Sequence, residues 1–477
     1  MLFNSIEFLI FLPLVFAGYW LLHRHPKLQN LFVVTVSYVF YGWWDWRFLI
    51  LIAFTSLWAF VFGLFELGGT PRSLASRSRL ALSCAINLGI LGYFKYCDFF
   101  VAQAAVLLRH FGFEPHASSL KIILPVGISF YTFQALSYTI DVYRRTIVPT
   151  KDPIAFFAFI SFFPQLVAGP IERATKLLPQ FLKARRFDYP LAVEGCRQML
   201  WGFFKKVLVA DTCAQVANSM LGGSTPSTFS IMIGVVCFAF QIYGDFSGYS
   251  DIAIGCAKLF GIRLMRNFAY PYFARDIAEF WRRWHISLTT WFRDYLYIPL
   301  GGSRCGTFKR LRNTFVIFLV SGLWHGANWT FVIWGAFHAF CFIPLLLAGK
   351  NRRYVSDNVA DGKVFPSLVE LLQMMTTFAI VVFGWSLFRA PDLATWWNWF
   401  DLSFLHPDLR MGGVKFNGLA AAVIPVVVLI FTDWFNRGRE IPLLPRSRGL
   451  RWLLYSAMIL FCISKERASL GFIYFQF

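Results

Sequence analysis

Long apolar runs, separated by short polar or basic segments, extend along nearly the whole chain. About 18 apolar residues in succession are enough for a helix to cross a bilayer. Runs near that length lie at residues 6–22, 29–46, 47–67, 80–94, 122–140, 154–170, 229–243, 313–331, 329–348, 368–388, 418–434 and 450–463. Some overlap or fall short of a full span, so the pattern predicts roughly ten to thirteen transmembrane helices with re-entrant or interfacial helices between them. We expect an all-α polytopic membrane protein in which residues 1–477 form a single domain.

The composition supports this prediction. Of the 477 residues, 57% are hydrophobic and only 15% are charged, and the mean hydropathy is +0.56. A water-soluble protein of this length has too little interior to bury so much apolar surface. The 9 cysteines are scattered without a CxxC or metal-ligand spacing, which predicts free thiols and no bound metal.

The net charge of +20 comes largely from basic residues in the short loops between apolar runs, at 23–27, 72–79, 183–186, 352–353 and 437–439. Such loops usually face the cytoplasm. The charge therefore requires no nucleic-acid partner. Because basic residues follow the first run rather than precede it, we expect that run to be a retained span with its N-terminus outside.

One histidine, His325, lies inside the most apolar stretch. It follows the basic run 309–312, and helical geometry places it roughly 20 Å below the membrane surface, in a hydrocarbon core about 30 Å thick. Lipid cannot satisfy imidazole nitrogens, so the ring must face protein or a water-filled cavity. A structural histidine and a functional one are both compatible with this position. On a continuous helix, Asn328 lies one turn further on, where it can bond one ring nitrogen.

Polar residues also occur within four other apolar stretches, 124–144, 162–173, 241–251 and 280–302. Residues 162–173 contain two prolines and a glycine, which predict a broken helix, and the glycines of 241–251 predict an interrupted or re-entrant segment. Asp245 and Asp251 are six residues apart and so face different sides of a helix, which argues against a paired-carboxylate mechanism. We expect them to pair with arginines of another helix.

Residues 280–302 form an aromatic and basic stretch. Its aromatic and apolar stripe consists of Trp281, Trp284, Leu288 and Trp291. This spacing predicts an interfacial helix, on which His285 would by itself be an ordinary interfacial histidine. His338, in the apolar region beyond His325, is the main alternative to His325 as a functional histidine.

Taken together, these stretches resemble the membrane-bound O-acyltransferase (MBOAT) family, in particular its bacterial branch of the alginate O-acetyltransferase (AlgI) type with its D-alanyl-transfer relatives. The segments that carry the resemblance are Met1–Phe8, 124–144, 162–173, Tyr243–Asp251, 280–302, Trp324–Phe331 and Phe472–Phe475. The resemblance implies a helical membrane fold around a central tunnel. It places the catalytic core at about residues 120–345.

The resemblance also implies a reaction, the transfer of an acyl group from an activated thioester to a hydroxyl. The two characteristic histidines of the family fall on His325 and His285, with Trp324 and Asn328 as supporting residues. We expect His325 to act as a general base on the acceptor hydroxyl. His285 would orient the donor or stabilise the developing oxyanion.

Four cations are expected to receive a nucleotide-phosphate donor at the cytoplasmic side: Arg282, Arg283, Arg304 and Lys309. No bound cofactor is expected, since acetyl-CoA or another acyl thioester would be the donor substrate. In a bacterial inner membrane, the resemblance implies that the acetyl group passes outward to periplasmic polysaccharide-modification proteins. The polymer that best fits the resemblance is alginate.

Three alternatives remain open from the sequence. In the first, the chain transfers D-alanyl or another acyl group to a different cell-envelope polymer. It would instead be a proton-coupled transporter if His325 relayed protons, although the chain lacks the two matching interrupted halves typical of transporters. A non-catalytic scaffold of a secretion complex is the third alternative.

Overall fold

The computed structural model describes residues 1–70, 73–114, 122–167, 169–223, 226–355, 358–410, 416–439, 447–465 and 471–472. Within these ranges every regular element is a helix. Residue 168 of the expected helix break, the start of the basic cluster 72–79 and residues 473–475 of the C-terminal motif lie outside them. The chain forms two compact units, Met1–Gly195 with Ala253–Met265, and Cys196–Ile252 with Arg266–Phe477.

The first unit is built from the N-terminal helices. These are α1 (Ile6–Leu21), α2 (Pro26–Gly42), α3 (Leu49–Leu67), α4 (Leu74–His110), α5 (Ile128–Tyr143), α6 (Pro153–Ser161), α7 (Phe163–Leu166) and α8 (Ala174–Leu182), together with the first part of α9 (Tyr189–Phe203). The short α6 and α7 confirm the break predicted within 162–173, because Pro164 stands at the start of α7 and cannot continue the helix before it.

Buried polar groups tie the helices of this unit together. Glu66 is fully buried at the end of α3, and its carboxylate accepts hydrogen bonds from Arg79 at 2.7 Å and from Ser76 at 2.8 Å. Arg185 donates to the side-chain oxygens of Gln29 and Asn30 on α2, at 2.9 and 2.6 Å. Such pairs are needed because an unpaired buried charge costs several kcal/mol, of order 3–5 when one partner is lost.

The second unit holds the remaining helices. These are the end of α9, a π-helical segment Phe204–Ala210, α10 (Asp211–Leu221), most of α11 (Thr228–Leu259), α12 (Ile277–Arg283), α13 (Ile286–Phe292), a π-helical segment Arg293–Tyr297, α14 (Thr307–His325), α15 (Trp329–Leu347), α16 (Leu368–Arg389), α17 (Leu393–Phe400), a π-helical segment Asp401–Leu405, α18 (Phe416–Phe435) and α19 (Arg448–Lys465). All of the residues singled out above for catalysis or donor binding belong to this unit.

The prediction of an interrupted segment at 241–251 is wrong, because α11 runs through it without a break. Its glycines serve close packing instead. A Cβ on Gly248 would lie 2.8 Å from the carbonyl oxygen of Gly202, and one on Gly202 would lie 2.6 Å from that of Gly248. The backbones of α9 and α11 therefore touch at this point, which only glycine permits.

The stretch 280–302 is not one interfacial helix, and this prediction is also wrong. It divides at His285 into α12 and α13, and the whole aromatic stripe from Trp281 to Trp291 is buried inside the protein. The helical spacing that suggested a membrane-facing stripe therefore reflects packing against other helices of the same unit.

The helix predicted over 313–331 ends early, at His325. The chain turns through Gly326 and Ala327 and enters α15, so α14 and α15 form an antiparallel hairpin. Glycines allow this hairpin to close: a Cβ on Gly322 would lie 2.2 Å from the carbonyl oxygen of Phe331, and one on Gly335 would lie 2.3 Å from that of Phe318. His325 consequently occupies the hairpin tip rather than the middle of a continuous helix.

Among the described residues, 6 helices are long and apolar enough to cross a membrane. They are Trp46–Leu67, Leu74–His110, Thr228–Leu259, Trp329–Leu347, Leu368–Arg389 and Gly418–Phe435. Other predicted spans, such as α1 and α5 with 16 residues each, form shorter helices. The prediction of an all-α polytopic membrane protein is confirmed.

Candidate active site

His325 lies at the tip of the α14–α15 hairpin and is only 3% exposed. Its position is set by Gly326, since a Cβ there would lie 2.1 Å from the ring of Phe331 and the chain could not turn so tightly. The imidazole is surrounded by aromatic rings, with centroid distances of 4.9 Å to Trp324, 5.2 Å to Trp334 and 5.2 Å to Phe388. Among the described residues, three aromatic rings thus pack against this polar ring.

Asn328 caps the next helix. Its side-chain oxygen accepts a hydrogen bond from the backbone N–H of Thr330 at 3.1 Å, and its side-chain nitrogen donates to the carbonyl oxygen of Pro391 at 2.7 Å. The premise that Asn328 lies one turn beyond His325 on the same helix is wrong, because α14 ends at His325. Its supporting role remains a prediction, now through the shape of the hairpin tip.

His285 is held in an unusual backbone conformation at the junction of α12 and α13. Its φ of 43° lies in the left-handed region, which costs a non-glycine residue of order 1–2 kcal/mol. Two backbone hydrogen bonds enclose this residue: Ala269 N–H donates to Arg283 O at 2.9 Å, and Ile286 N–H donates to Asn267 O at 2.9 Å. The surrounding segment thus imposes the conformation that turns the His285 ring inward.

The His285 ring is 1% exposed and meets polar atoms on one side only. Its Nδ1 lies 3.1 Å from the side-chain oxygen of Asn267 and 3.4 Å from the Ser287 hydroxyl. On its other sides the ring contacts Phe246 at 4.6 Å and Trp324 at 5.8 Å, measured between centroids.

Trp324 brings the two histidines into one site. Its indole contacts both His285, at 5.8 Å, and His325, at 4.9 Å, measured between ring centroids. The two histidines are 40 residues apart in sequence. His285 is the N-cap of α13, and His325 is the last residue of α14. Both were singled out from the sequence together with Trp324, and the fold places all three next to one another.

His338, the alternative candidate, lies on α15 on the far side of Trp334. That indole contacts His325 at 5.2 Å and His338 at 5.0 Å. His338 is fully buried, packs against Trp281 at 5.0 Å, and neither of its ring nitrogens has a hydrogen-bond partner among the described residues. It is thus enclosed by aromatic rings and lacks the contact with Trp324 that joins the other two histidines.

The four expected donor-binding cations do not form one cluster of equivalent groups. Arg282 donates to the carbonyl oxygens of Asn351 and Tyr354, at 2.7 and 3.1 Å. Arg283 pairs with the buried Glu279 at 2.8 Å. Arg304 and Lys309 are exposed, in the loop before α14 and in its first turn. Only the last two present their charged ends to the surface.

Asp245 and Asp251 pair with lysines rather than the expected arginines. Lys206 lies 2.9 Å from Asp245 and 2.8 Å from Asp211, and Lys205 pairs with Asp251. Both lysines belong to the π-helical segment Phe204–Ala210, a helix form often found where a helix carries a functional or strained site. This arrangement could not be predicted from the sequence, because neither lysine spacing nor periodicity distinguishes a π-helical turn from an α-helical one.

The described residues also contain an apolar cavity of about 180 Å³ beside this network. It is lined by aromatic and aliphatic side chains of α11, α16 and α18 and by the segment 270–273, and its polar groups are the carboxyl of Asp433 and the hydroxyls of Tyr243, Tyr270 and Tyr272. The Tyr243 hydroxyl donates to Asp433 at 2.6 Å. Neither histidine of the candidate site lines this cavity. In the described part of the chain, no group of three or more His, Cys, Asp or Glu residues is arranged to hold a metal ion.

Comparisons with known proteins cover the part of the chain that holds the candidate site. A family model described as MBOAT, membrane-bound O-acyltransferase family, matches residues 147–358, which include both histidines. The chain is 38% identical over 503 residues to the probable alginate O-acetylase AlgI of Pseudomonas putida, with 100% of both chains covered.

Two further relatives are similar over most of the chain. The probable alginate O-acetylase AlgI of Pseudomonas aeruginosa is 40% identical over 432 residues, which cover 90% of this chain and 80% of the relative. The peptidoglycan O-acetyltransferase of Helicobacter pylori is 34% identical over 424 residues, covering 82% of this chain and 78% of the relative.

Proposed function

The chain belongs to the membrane-bound O-acyltransferase family, and from this premise we propose that it moves acetyl groups from a cytoplasmic thioester across the bacterial inner membrane for O-acetylation of exported alginate. The chain is a multi-pass membrane protein and an acyltransferase. The observation that connects the proposal to a site is the contact of both His285 and His325 with the indole of Trp324.

We propose that His325 is the general base. It takes the proton of the acceptor hydroxyl, whose oxygen attacks the thioester carbonyl carbon. The tetrahedral intermediate collapses, the carbon–sulfur bond breaks, and the protonated imidazole returns its proton to the leaving thiolate. General base catalysis of this kind contributes about 10²–10⁴-fold. The aromatic surroundings of His325 support this role, because they exclude water that would hydrolyse the thioester.

The position of His325 on α14 supports transfer of the acetyl group from the cytoplasmic side of the membrane to its outer side. Lys309 lies 16 residues before it on the helix, about 24 Å at 1.5 Å per residue. If the basic start of α14 lies at the cytoplasmic surface, His325 is close to the middle of the bilayer. A base at that depth is accessible to a donor made in the cytoplasm and to an acceptor that leads outward.

The donor would be acetyl-CoA or another acyl thioester, which binds as a substrate. Of the cations suggested for it, Arg304 and Lys309 are the better placed, because their charges are exposed while Arg282 and Arg283 bond within the protein. Periplasmic polysaccharide-modification proteins would receive the acetyl group and complete the modification.

Complementation tests the choice of polymer. The chain would be expressed in an alginate-producing bacterium that lacks its own membrane acetylase, and the acetyl content of secreted alginate would be measured. We expect acetylation to return with the wild-type chain and to stay absent with His325→Gln at equal membrane abundance. Peptidoglycan from the same cells would be assayed in parallel, because one relative acts on that polymer. Acetylated peptidoglycan with unmodified alginate would contradict the proposal.

A further inference from the structure

Asn267 is a fully buried residue whose side chain contacts three polar residues at once, Ser250, His285 and Ser287. Its side-chain nitrogen donates to the Ser250 hydroxyl on α11 at 3.1 Å. Its side-chain oxygen accepts from the Ser287 hydroxyl at 2.9 Å and from the Ser287 backbone N–H at 3.3 Å. The same oxygen faces Nδ1 of His285 at 3.1 Å.

The orientation of this amide is determined by its partners. A backbone N–H can only donate, so the atom that faces Ser287 N must be the amide oxygen and not its nitrogen. The oxygen has no proton to give. His285 Nδ1 must therefore carry the proton and donate it to Asn267, since two lone pairs 3.1 Å apart would repel each other.

A neutral imidazole carries one proton, so Nε2 of His285 is left as a bare acceptor. That atom is buried and has no hydrogen-bond partner in the described structure. Buried polar atoms are normally paired, and an unpaired acceptor in a site of this kind is available to a substrate group.

We propose that Asn267 is a positioning residue that holds His285 in the Nδ1–H tautomer, so that Nε2 accepts a hydrogen bond from an O–H or N–H of the bound substrate. This inference rests on the proposed function, because it assigns a role to His285 in acyl transfer. It also changes the role expected from the sequence. Stabilising an oxyanion requires a proton on Nε2, and this arrangement places the proton on Nδ1.

The backbone reinforces the same arrangement. The Asn267 carbonyl oxygen accepts the Ile286 N–H at 2.9 Å, immediately after the left-handed His285. A single residue therefore fixes both the backbone that presents the imidazole and the proton on its inner nitrogen. Among the described residues, the groups that contact His285 from the neighbouring elements are Phe246, Phe268, Trp324, Asn267 and Ser287, none of which is charged.

The tautomer can be measured without any turnover. Full-length protein labelled with ¹⁵N-histidine in lipid bilayers would be studied by solid-state NMR, with the His285 signals assigned by their loss in His285→Gln. We expect a protonated Nδ1 and an unprotonated Nε2 in the wild type, and a mixture of tautomers in Asn267→Ala. A proton on Nε2 in the wild type would overturn the proposal.

Activity with acetyl-CoA as the probe tests the consequence. Asn267→Ala is expected to lower kcat by about tenfold or more, because His285 no longer presents Nε2 as a fixed acceptor. The KM for acetyl-CoA should be nearly unchanged, because the donor still binds. Asn436→Ala, which removes another buried amide that donates to Thr432 within α18, serves as the matched control and should stay near the wild-type rate.

The variant Asn267→Asp separates a role of Asn267 in positioning His285 from a role in folding. An aspartate keeps an acceptor opposite Nδ1–H, so it should retain more activity than the alanine variant. Its negative charge stabilises the imidazolium and raises the pKa of His285. The protonated ring, which lacks the Nε2 acceptor, then persists to higher pH, and the acid limb of the activity profile should move upward. An aspartate variant as inactive as alanine at every pH would overturn the proposal.

Two variants distinguish a failure of the proposed role of His285 from a failure of the assignment to Asn267. If His285→Gln is folded and fully active, His285 has no part in transfer, and the proposed role of that residue fails together with this inference. If His285→Gln is inactive but Asn267→Ala retains the wild-type rate and tautomer, only the assignment to Asn267 is wrong.

Discussion

At the residue scale, the two histidines of the site are held by different forces. His285 is fixed by hydrogen bonds through Asn267 and by its backbone, whereas His325 is enclosed by Trp324, Trp334 and Phe388. Hydrogen bonds define which ring nitrogen carries the proton, and aromatic walls define which molecules reach it. With the roles proposed above for the two histidines, a fixed acceptor beside an enclosed base suits a transfer that must avoid hydrolysis.

Substitution of His338 tests whether burial alone makes a histidine essential for acetyl transfer. Because its ring nitrogens lack hydrogen-bond partners among the described residues, His338→Leu removes no bond and leaves no partner unsatisfied. We expect the variant to fold and to transfer acetyl groups within about threefold of the wild-type rate, measured with acetyl-CoA after purification. A folded His338→Leu protein without activity would show that the third histidine belongs to the catalytic group.

The sequence located the candidate residues but not their partners. His325 stood out because a polar residue in an apolar run is costly, and the family resemblance added His285 and Trp324. Asn267 was missed, since an asparagine between Arg266 and Phe268 has no periodicity that marks it as a partner of His285. Contacts between distant segments depend on the fold, and a single sequence does not contain them.

At the element scale, helix breaks place the functional groups. His325 ends α14 and His285 separates α12 from α13, so both histidines stand where a helix stops. The apolar pattern predicted the helices but extended them across these breaks, because a hydrophobic run continues where the backbone turns. The reverse error occurred at 241–251, where glycines suggested a break and served close helix packing instead.

The α14–α15 hairpin gives a direct test of this account. A Cβ on Gly322 would lie 2.2 Å from a backbone oxygen, so Gly322→Ala must push the two helices apart. We expect a loss of about 1–3 kcal/mol in the free energy of unfolding, together with reduced transfer as the tip moves.

The matched control is Gly89→Ala on α4, where an added Cβ meets nothing within 4 Å. There the added methyl should leave stability unchanged or slightly higher, because alanine favours the helix. Thermal unfolding of both variants in the same lipid or detergent provides the comparison. Equal melting of Gly322→Ala and wild type would contradict the close packing of the hairpin.

At the scale of the whole molecule, the net charge of +20 and the apolar helices are both features of a protein that is oriented in a membrane. Charges in loops set the orientation, and they also set which surface meets an anionic donor. The apolar pattern was sufficient to predict the all-α membrane fold. It was insufficient to predict how the chain divides into two compact units, because that depends on which helices contact each other.

Donor binding is a surface property and can be tested by charge removal. The double variant Arg304→Gln, Lys309→Gln should raise the KM for acetyl-CoA several-fold while leaving kcat nearly unchanged, since exposed cations attract the phosphates but do not touch the reacting carbon. The control is Arg410→Gln, an exposed arginine that pairs with Asp408. An unchanged KM would show that these cations only orient the protein in the membrane.

The most direct test of the central claim uses purified protein in proteoliposomes. Radiolabelled acetyl-CoA is supplied to the face that carries the basic loops, alginate oligomers are supplied to the other face, and both thioester cleavage and label on the oligomers are measured. We expect the wild type to cleave the thioester and, when the periplasmic proteins are added, to label the oligomers. His325→Gln, with unchanged thermal unfolding, should be about 10²–10⁴-fold slower. A folded His325→Gln protein that transfers acetyl groups at the wild-type rate would contradict the account.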